Sequence, residues 1–393
     1  MNKVLLWLMS FGTGLCAGTI YLSQPLLDVL RQQFNSSLSE AGSIVTLTQI
    51  GYALGIFFLV PLGDVVNKKY LIQIKLALIA LALILTGMSQ TIALFLVASL
   101  VLGIVASAAQ DFVPLAADLA PVSQRGKIVG TVMSGLLLGI LLSRTFSGFT
   151  AHHFGWRSVF FICAGFILVT LTLASWLIPS HPPKIKLKYT ELIHSMGHIF
   201  IENPLLQLST LTQGLVGIAF SAFWTVLAFE MSGAPFHLST ESIGLFGLAG
   251  AAGAIAAPFA GKISDRIGPL LNIKFGIVFI FLSFLVMYLF QNSILIIIIG
   301  ALFFDLGMQV CLISHQSIIY AMHPEARSRI NSLFVTGLFI AFSIGSYSGS
   351  LIFSAYEWSG VLYLSLFCCS AAFLSHLLLA SKYKKVFAQP TRT

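Results

Sequence analysis

Charge is what this sequence has least of. Of its 393 residues only 9% are Asp, Glu, Lys or Arg, where a soluble chain carries about a quarter, so a water-soluble globular protein is excluded. Cysteine is scarce and scattered: Cys16, Cys163, Cys311, Cys368 and Cys369 lie inside apolar runs without metal-ligand spacing. Neither a disulfide framework nor a metal site is implied. A phosphate-binding glycine loop with lysine, an HExxH pair and a Ser-His-Asp set outside the apolar runs are all missing. Those gaps argue against an enzyme, against a bound cofactor and against ATP as an energy source. No pore-loop sequence or ring-forming repeat suggests a channel, and no soluble output domain suggests a sensor. Long polar stretches are also wanting, with one exception at 179–203.

What fills the chain is apolar sequence, 57% of it. Runs of about 20 apolar residues read as membrane-spanning helices, and twelve fit, from 4–28 at one end to 357–381 at the other. The expected fold is an all-α membrane protein of twelve transmembrane helices in two pseudo-symmetric six-helix bundles. The first half covers 1–178, the segment 179–203 is a cytoplasmic linker, and the second half covers 204–393 with a short tail. The run after Lys3 continues to about Leu27, too long for a signal-peptide core, and reads as a retained first span. The net charge of +8 does not point to nucleic acid, because the basic residues sit at the ends of apolar runs. Lys68, Lys69, Arg125, Lys127, Lys184, Lys262 and Arg327 then fall on one side of the membrane, Arg31 and Arg157 on the other. The positive-inside rule puts both termini in the cytoplasm. Lys75 and Lys274 sit a turn or two from the inner ends. Short loops without glycosylation-type sequence suggest a bacterial inner membrane, with the lipid bilayer as the first partner.

The halves repeat. Asp64 is echoed by Asp265 at a spacing of 201, and Arg125 by Arg327 at 202. His153-Phe-Gly-Trp156 before span six is echoed by Ala355-Tyr-Glu-Trp358 before span twelve, again at 202. Two related six-span halves normally enclose a site near the membrane midplane. Polar stripes on spans one, four, seven and ten supply what a central cavity requires. Tyr21 and Gln24 lie on span one, Gln110 and Asp111 on span four, Gln213 and Trp224 on span seven, and Asp305 and Gln309 on span ten. Tyr21, Gln24, Gln110, Gln213, Trp224 and Gln309 are the expected cavity side chains. Asp305 and Asp111 are the carboxylates that could load and unload protons, since burial disfavours the charged form. His315 reads as a packed or hydrogen-bonded histidine rather than a proton relay. Span five carries Gly126, Gly130, Gly135, Gly139 and Gly148, small residues that let another helix come close. The same span carries Arg144, about 27 Å up from Gly126 at about 1.5 Å per residue. That cation has three readings: a seat for an anionic substrate, a partner for Asp28, or a side chain reaching out to the interface.

At this point the chain resembles the major facilitator superfamily over essentially its whole length. Gly261-Lys-Ile-Ser-Asp265-Arg266-Ile-Gly268 is similar to that family's loop signature. The first-half copy, Pro61-Leu-Gly63-Asp64-Val-Val-Asn67-Lys68-Lys69, keeps the aspartate and the basic pair but has Val60 and Asn67 where the family usually has glycine. Asp118-x-x-Pro121-x-x-x-Arg125-Gly126 resembles the elbow of the sugar-porter branch, with Asp in place of Glu. Gly126, Gly135 and Gly139 fit half of the glycine signature of the proton-antiporter branch, whose remaining positions hold Ile140, Ser143 and Arg144. The resemblance implies a secondary transporter working by alternating access. It also implies gate-side ion pairs among Asp64, Asp118, Arg125, Asp265, Arg266 and Arg327. The expected activity is proton-coupled export of a small organic solute by a single chain. The alternative is proton-coupled import of such a solute, anionic if Arg144 binds it.

Overall fold

In a computed structural model, the chain is described over residues 2–183, 188–249, 266–322 and 327–387. The described residues form helices and short connections, with no strand among them. The first six helices are α1 (Lys3–Gln33), α2 (Leu38–Val65), α3 (Lys68–Met88), α4 (Ile92–Leu119), α5 (Arg125–Phe154) and α6 (Trp156–Leu177). A linker helix, Tyr189–Glu202, precedes α7 (Pro204–Ser232) and α8 (Thr240–Ala249). The helices α9 (Pro269–Leu289) and α10 (Ile294–Met322) follow. The run Arg327–Phe387 is too long for one crossing and breaks at Glu357, giving α11 (327–356) and α12 (358–387). Counted with that run as one, ten described helices are long and apolar enough to cross a membrane. The protein is an all-α membrane bundle.

Local chemistry starts several of these helices. Ser37 and Glu40 form a reciprocal capping box at α2, and Asn67 and Thr91 cap α3 and α4. Three helices are interrupted, and each interruption falls beside polar side chains. The α1 backbone tightens into single 3₁₀ turns at Thr19–Tyr21 and Gln24–Leu26, the second containing Pro25. The α2 backbone widens into a π turn at Gly55–Leu59. The α4 backbone breaks at Ser107 and Ala108, and Pro114 nearly two turns later leaves another carbonyl without its helical donor. Breaks of this kind free backbone groups that something else must satisfy.

The helices form two compact units. One comprises Met1–Leu192 with Thr225–Leu248, the other Ile193–Trp224 with Ala249–Thr393. The division therefore runs through α7, because α8 closes directly on α5. A Cβ added at Gly148 would stand 2.3 Å from the Thr240 carbonyl, and one at Gly244 would stand 2.8 Å from that of Arg144. The α1–α5 crossing is as close: a Cβ at Gly139 would meet the Gly14 backbone at 2.1 Å, and one at Gly135 the Ser10 carbonyl at 2.3 Å. Gly135, Gly139 and Gly148 thus sit where two backbones touch. Two of the five glycines expected to pack do not. Gly126 and Gly130 are exposed, and a Cβ there would meet no described atom within 4 Å.

The internal repeat is visible in the backbone. Gly155, before Trp156, has φ 81° and ψ 155°; Glu357, before Trp358, has φ 54° and ψ −157°. Both tryptophans are buried. Glycine takes this region without penalty, whereas a side chain there is strained. Glu357→Gly is therefore expected to stabilise the fold by about 1 kcal/mol, and Gly155→Glu to destabilise it by at least as much. Thermal unfolding of the two purified variants in detergent checks this; a Glu357→Gly variant that melts below the parent would refute it.

Candidate functional site

Two aspartates on α4 meet two lysines on α3. Lys68 Nζ lies 2.8 Å from Asp118 Oδ2, and Lys75 Nζ lies 2.6 Å from Asp111 Oδ2. Seven residues separate the lysines and seven the aspartates, about two helical turns in each case, so the pairs form a ladder between antiparallel helices. The second rung is sealed, with side-chain exposures of 2% for Lys75 and 3% for Asp111. Lys75 also donates to the Leu59 carbonyl at 3.2 Å, at the π turn of α2. The lysine thus satisfies a carboxylate and a displaced backbone group together, as a buried ammonium must. Next along α4, Gln110 donates to the Tyr52 hydroxyl at 3.1 Å.

The first rung is tied to the start of the linker. His181 Nε2 lies 3.2 Å from Asp118 Oδ2, and the Lys68 amide donates to the His181 carbonyl at 3.2 Å. Asn67 completes the clamp, donating to Ser180 Oγ at 2.8 Å and accepting from the His181 amide at 3.2 Å. Asp118 is therefore held by Lys68 and His181, while Arg125 is exposed. Asp64 is half-buried beside Gly63, where a Cβ would stand 3.7 Å from Asp111 Oδ1. Arg266 is exposed; Arg327 is also exposed and donates to the Tyr320 carbonyl at 3.2 Å. Asp265 lies outside the described residues.

A second polar centre joins α1 to α5. Arg144 is 4% exposed, its Nε donates to Gln24 Oε1 at 2.7 Å, and its guanidinium lies 4.6 Å from the centre of the Tyr21 ring. Of the three readings of this cation, extension to the interface is overturned by that burial. Asp28 is engaged elsewhere, at 2.9 Å from Arg31 and 2.7 Å from Gln32. Ser147 Oγ donates to the Leu22 carbonyl at 2.5 Å, one of the groups left free where α1 loses its regular turn. On the α8 side a Cβ at Gly247 would crowd Arg144 Cβ at 2.9 Å. The structure thus brings together three residues singled out in the sequence, Tyr21, Gln24 and Arg144.

The second unit carries neutral partners. Trp224 Nε1 lies 3.4 Å from Asp305 Oδ1, and Asp305 is 7% exposed. Phe220, Phe223 and Phe304 pack on or near that indole. Ten residues further along α10, His315 is fully buried, with Nδ1 at 2.8 Å from the Cys311 carbonyl and 3.1 Å from Gln213 Oε1. Both neighbours are acceptors, so Nδ1 carries the proton. Gln213 Nε2 points at Met308 Sδ, 3.2 Å away. Gln309 is half-buried and has no hydrogen-bond partner among the described residues. No group of three or more His, Cys, Asp or Glu placed to share a metal ion occurs among the described residues.

Known proteins give this geometry its context. The Major Facilitator Superfamily model matches residues 7–308 and, in a second overlapping match, 210–392. The chain belongs to the major facilitator superfamily. A relative from Escherichia coli O157:H7, called "Uncharacterized transporter YgaY", is 41% identical over 92% of each chain. "Multidrug resistance protein MdtG" of Escherichia fergusonii is 28% identical over 68% of this chain and 67% of its own. Among solved structures, the nucleoside transporter NupG superposes with a TM-score of 0.78 at 12% identity, covering 96% of this chain and 99% of its own. A bacterial homologue of the human lysosomal transporter Spinster gives 0.74 at 14% identity, covering 98% and 97%. At such identities the structural likeness concerns the fold. This superfamily member is a multi-pass membrane transporter and not an enzyme.

Sequence reasoning places Lys75 only near an inner helix end and misses its buried pairing with Asp111. Its expected effect is measurable. Asp111→Asn strands an ammonium inside the bundle and is expected to cost about 3–5 kcal/mol. Lys75→Met combined with Asp111→Leu removes both charges and is expected to cost far less. Melting temperatures of the single and double variants decide the matter, and a double variant no better than the single one would refute the pairing energetics.

Proposed function

We propose that this transporter is a proton-coupled exporter of small organic compounds from the bacterial cytoplasm, working by alternating access with both termini inside. The observation that carries the reading is Asp305, a carboxylate that α10 buries about twelve residues from its start, beside the Trp224 indole. A carboxylate taken out of water favours its protonated form until water reaches it, which suits a group that binds a proton on one side and releases it on the other. Asp111 is the weaker candidate, because Lys75 already compensates its charge and protonation would break an ion pair. In this reading the Lys68–Asp118–His181 contact is the gate-side pair of the first half, and residues 1–178 and 204–393 are the two moving halves joined by 179–203. One chain supplies both and acts as a monomer. The direction follows the half-present antiporter signature and the likeness to "Multidrug resistance protein MdtG".

Arg144 favours a second reading. A guanidinium held inside the bundle by Gln24 and Tyr21 is suited to an anionic solute, which a symporter would import. One assay addresses both. Purified protein is placed in liposomes loaded with a pH-sensitive dye, a proton gradient is imposed, and organic anions, cations and neutral solutes are added outside. A solute that discharges the gradient by moving against the proton flow supports export; one that moves with it supports import. Asp305→Asn is expected to abolish the proton signal. Transport without proton movement, equally fast in Asp305→Asn, would sink the coupling proposal.

A further inference from the structure

The end of α5 remote from Arg125 carries two adjacent histidines that the transport mechanism above does not use. His152 Nε2 lies 3.9 Å and His153 Nε2 3.8 Å from the same Glu241 Oε2, in the first turn of α8. The two imidazole rings stand 5.0 Å apart, and the three side chains are between 37% and 43% exposed, open to solvent protons. These distances are too long for good hydrogen bonds and short enough for an ion pair. One turn below, Gly148 and Gly244 hold the two backbones together, and Thr145 Oγ1 donates to the Gly244 carbonyl at 3.1 Å. The cluster therefore lies at the free ends of two helices that are already in contact.

We propose that His152, His153 and Glu241 form a proton-binding site that fastens the end of α8 to the end of α5. Histidine is the side chain whose ordinary titration spans physiological pH. A neutral imidazole gives Glu241 little reason to stay; one that has taken a proton from the adjoining solution becomes a cation facing a carboxylate. Two imidazoles share that carboxylate, so the first protonation suffices to make the contact. Other titratable groups near these helix ends are His237, on the segment leading into α8, and Arg157, which lies over the Trp156 ring and donates to the Ser89 carbonyl at 3.3 Å. Asp28 and Arg31 neutralise each other. No described group places a permanent positive charge on Glu241 in their stead. The side of the membrane rests on the orientation proposed above, which makes this the outer face; the proton site itself does not depend on it.

Hydrogen–deuterium exchange of the full chain in nanodiscs tests the site without any substrate. Exchange is followed over 148–154 and 240–247 at about pH 5.5 and about pH 7.5, each corrected for the intrinsic rate. After correction, the parent is expected to exchange roughly two- to five-fold more slowly at acid pH, the range of one or two exposed ion pairs. Glu241→Gln, and separately His152→Gln with His153→Gln, are expected to erase the difference while leaving exchange at the higher pH unchanged. A parent without the pH effect, or variants that retain it, would overturn the site. Failure of proton coupling in the liposome assay leaves this result readable, and the reverse also holds.

Discussion

A charge inside a membrane protein must be matched within the protein, and much of this structure follows from that requirement. The interruptions in α1, α2 and α4 show the same need for the backbone. Each break releases a carbonyl, and a side chain from another helix answers two of them: Lys75 at Leu59 and Ser147 at Leu22. Breaking a helix is therefore not a loss of order here. It shapes the backbone to receive a side chain, and the residues beside the breaks, Tyr21, Gln24, Gln110 and Asp111, are the ones that meet partners across the bundle.

The two halves of the repeat answer the requirement differently. In the first, a lysine and an aspartate are sealed together between α3 and α4. At the matching spacing the second half has Gly276 or Ile277 against Lys75, and Leu312 or Ile313 against Asp111. No charge stands at either place. An apolar pair and a buried ion pair can fill similar volume at similar net stability. A buried ion pair, by contrast, strongly penalises separation of its partners. The second half instead keeps its polarity in neutral groups, Gln213 with His315 and Asn272 with Ser314, and in Asp305.

Hydropathy was sufficient to reveal the spans, because a bilayer demands about the same apolar length of every helix. The repeat was legible from three landmarks, and Gly155 and Glu357 carry it into the backbone. Partners were harder to read. The seven-residue spacing of Lys68 and Lys75, and of Asp111 and Asp118, contains the ladder, but the topology rule alone already accounts for the lysines. Arg144 kept three readings because its partner depends on how α1 is rotated against α5, which periodicity does not specify. Gly126 and Gly130 share a stripe with Gly148, yet a glycine marks a close crossing only where a second backbone arrives. The repeat sets Glu357 opposite Gly155, but a glutamate gives no sign of the positive φ it adopts.

The contact between Gly14 and Gly139 has a mechanical consequence. With side chains absent between them, α1 and α5 have no compliant layer to absorb a relative shift, and main chain bears on main chain. The two helices are geared and travel as one part. Tyr21, Gln24 and Arg144 ride on that part, so their mutual register survives whatever motion the rest of the bundle makes. The polar centre keeps its geometry through the stiffness of a joint rather than through the reach of a side chain.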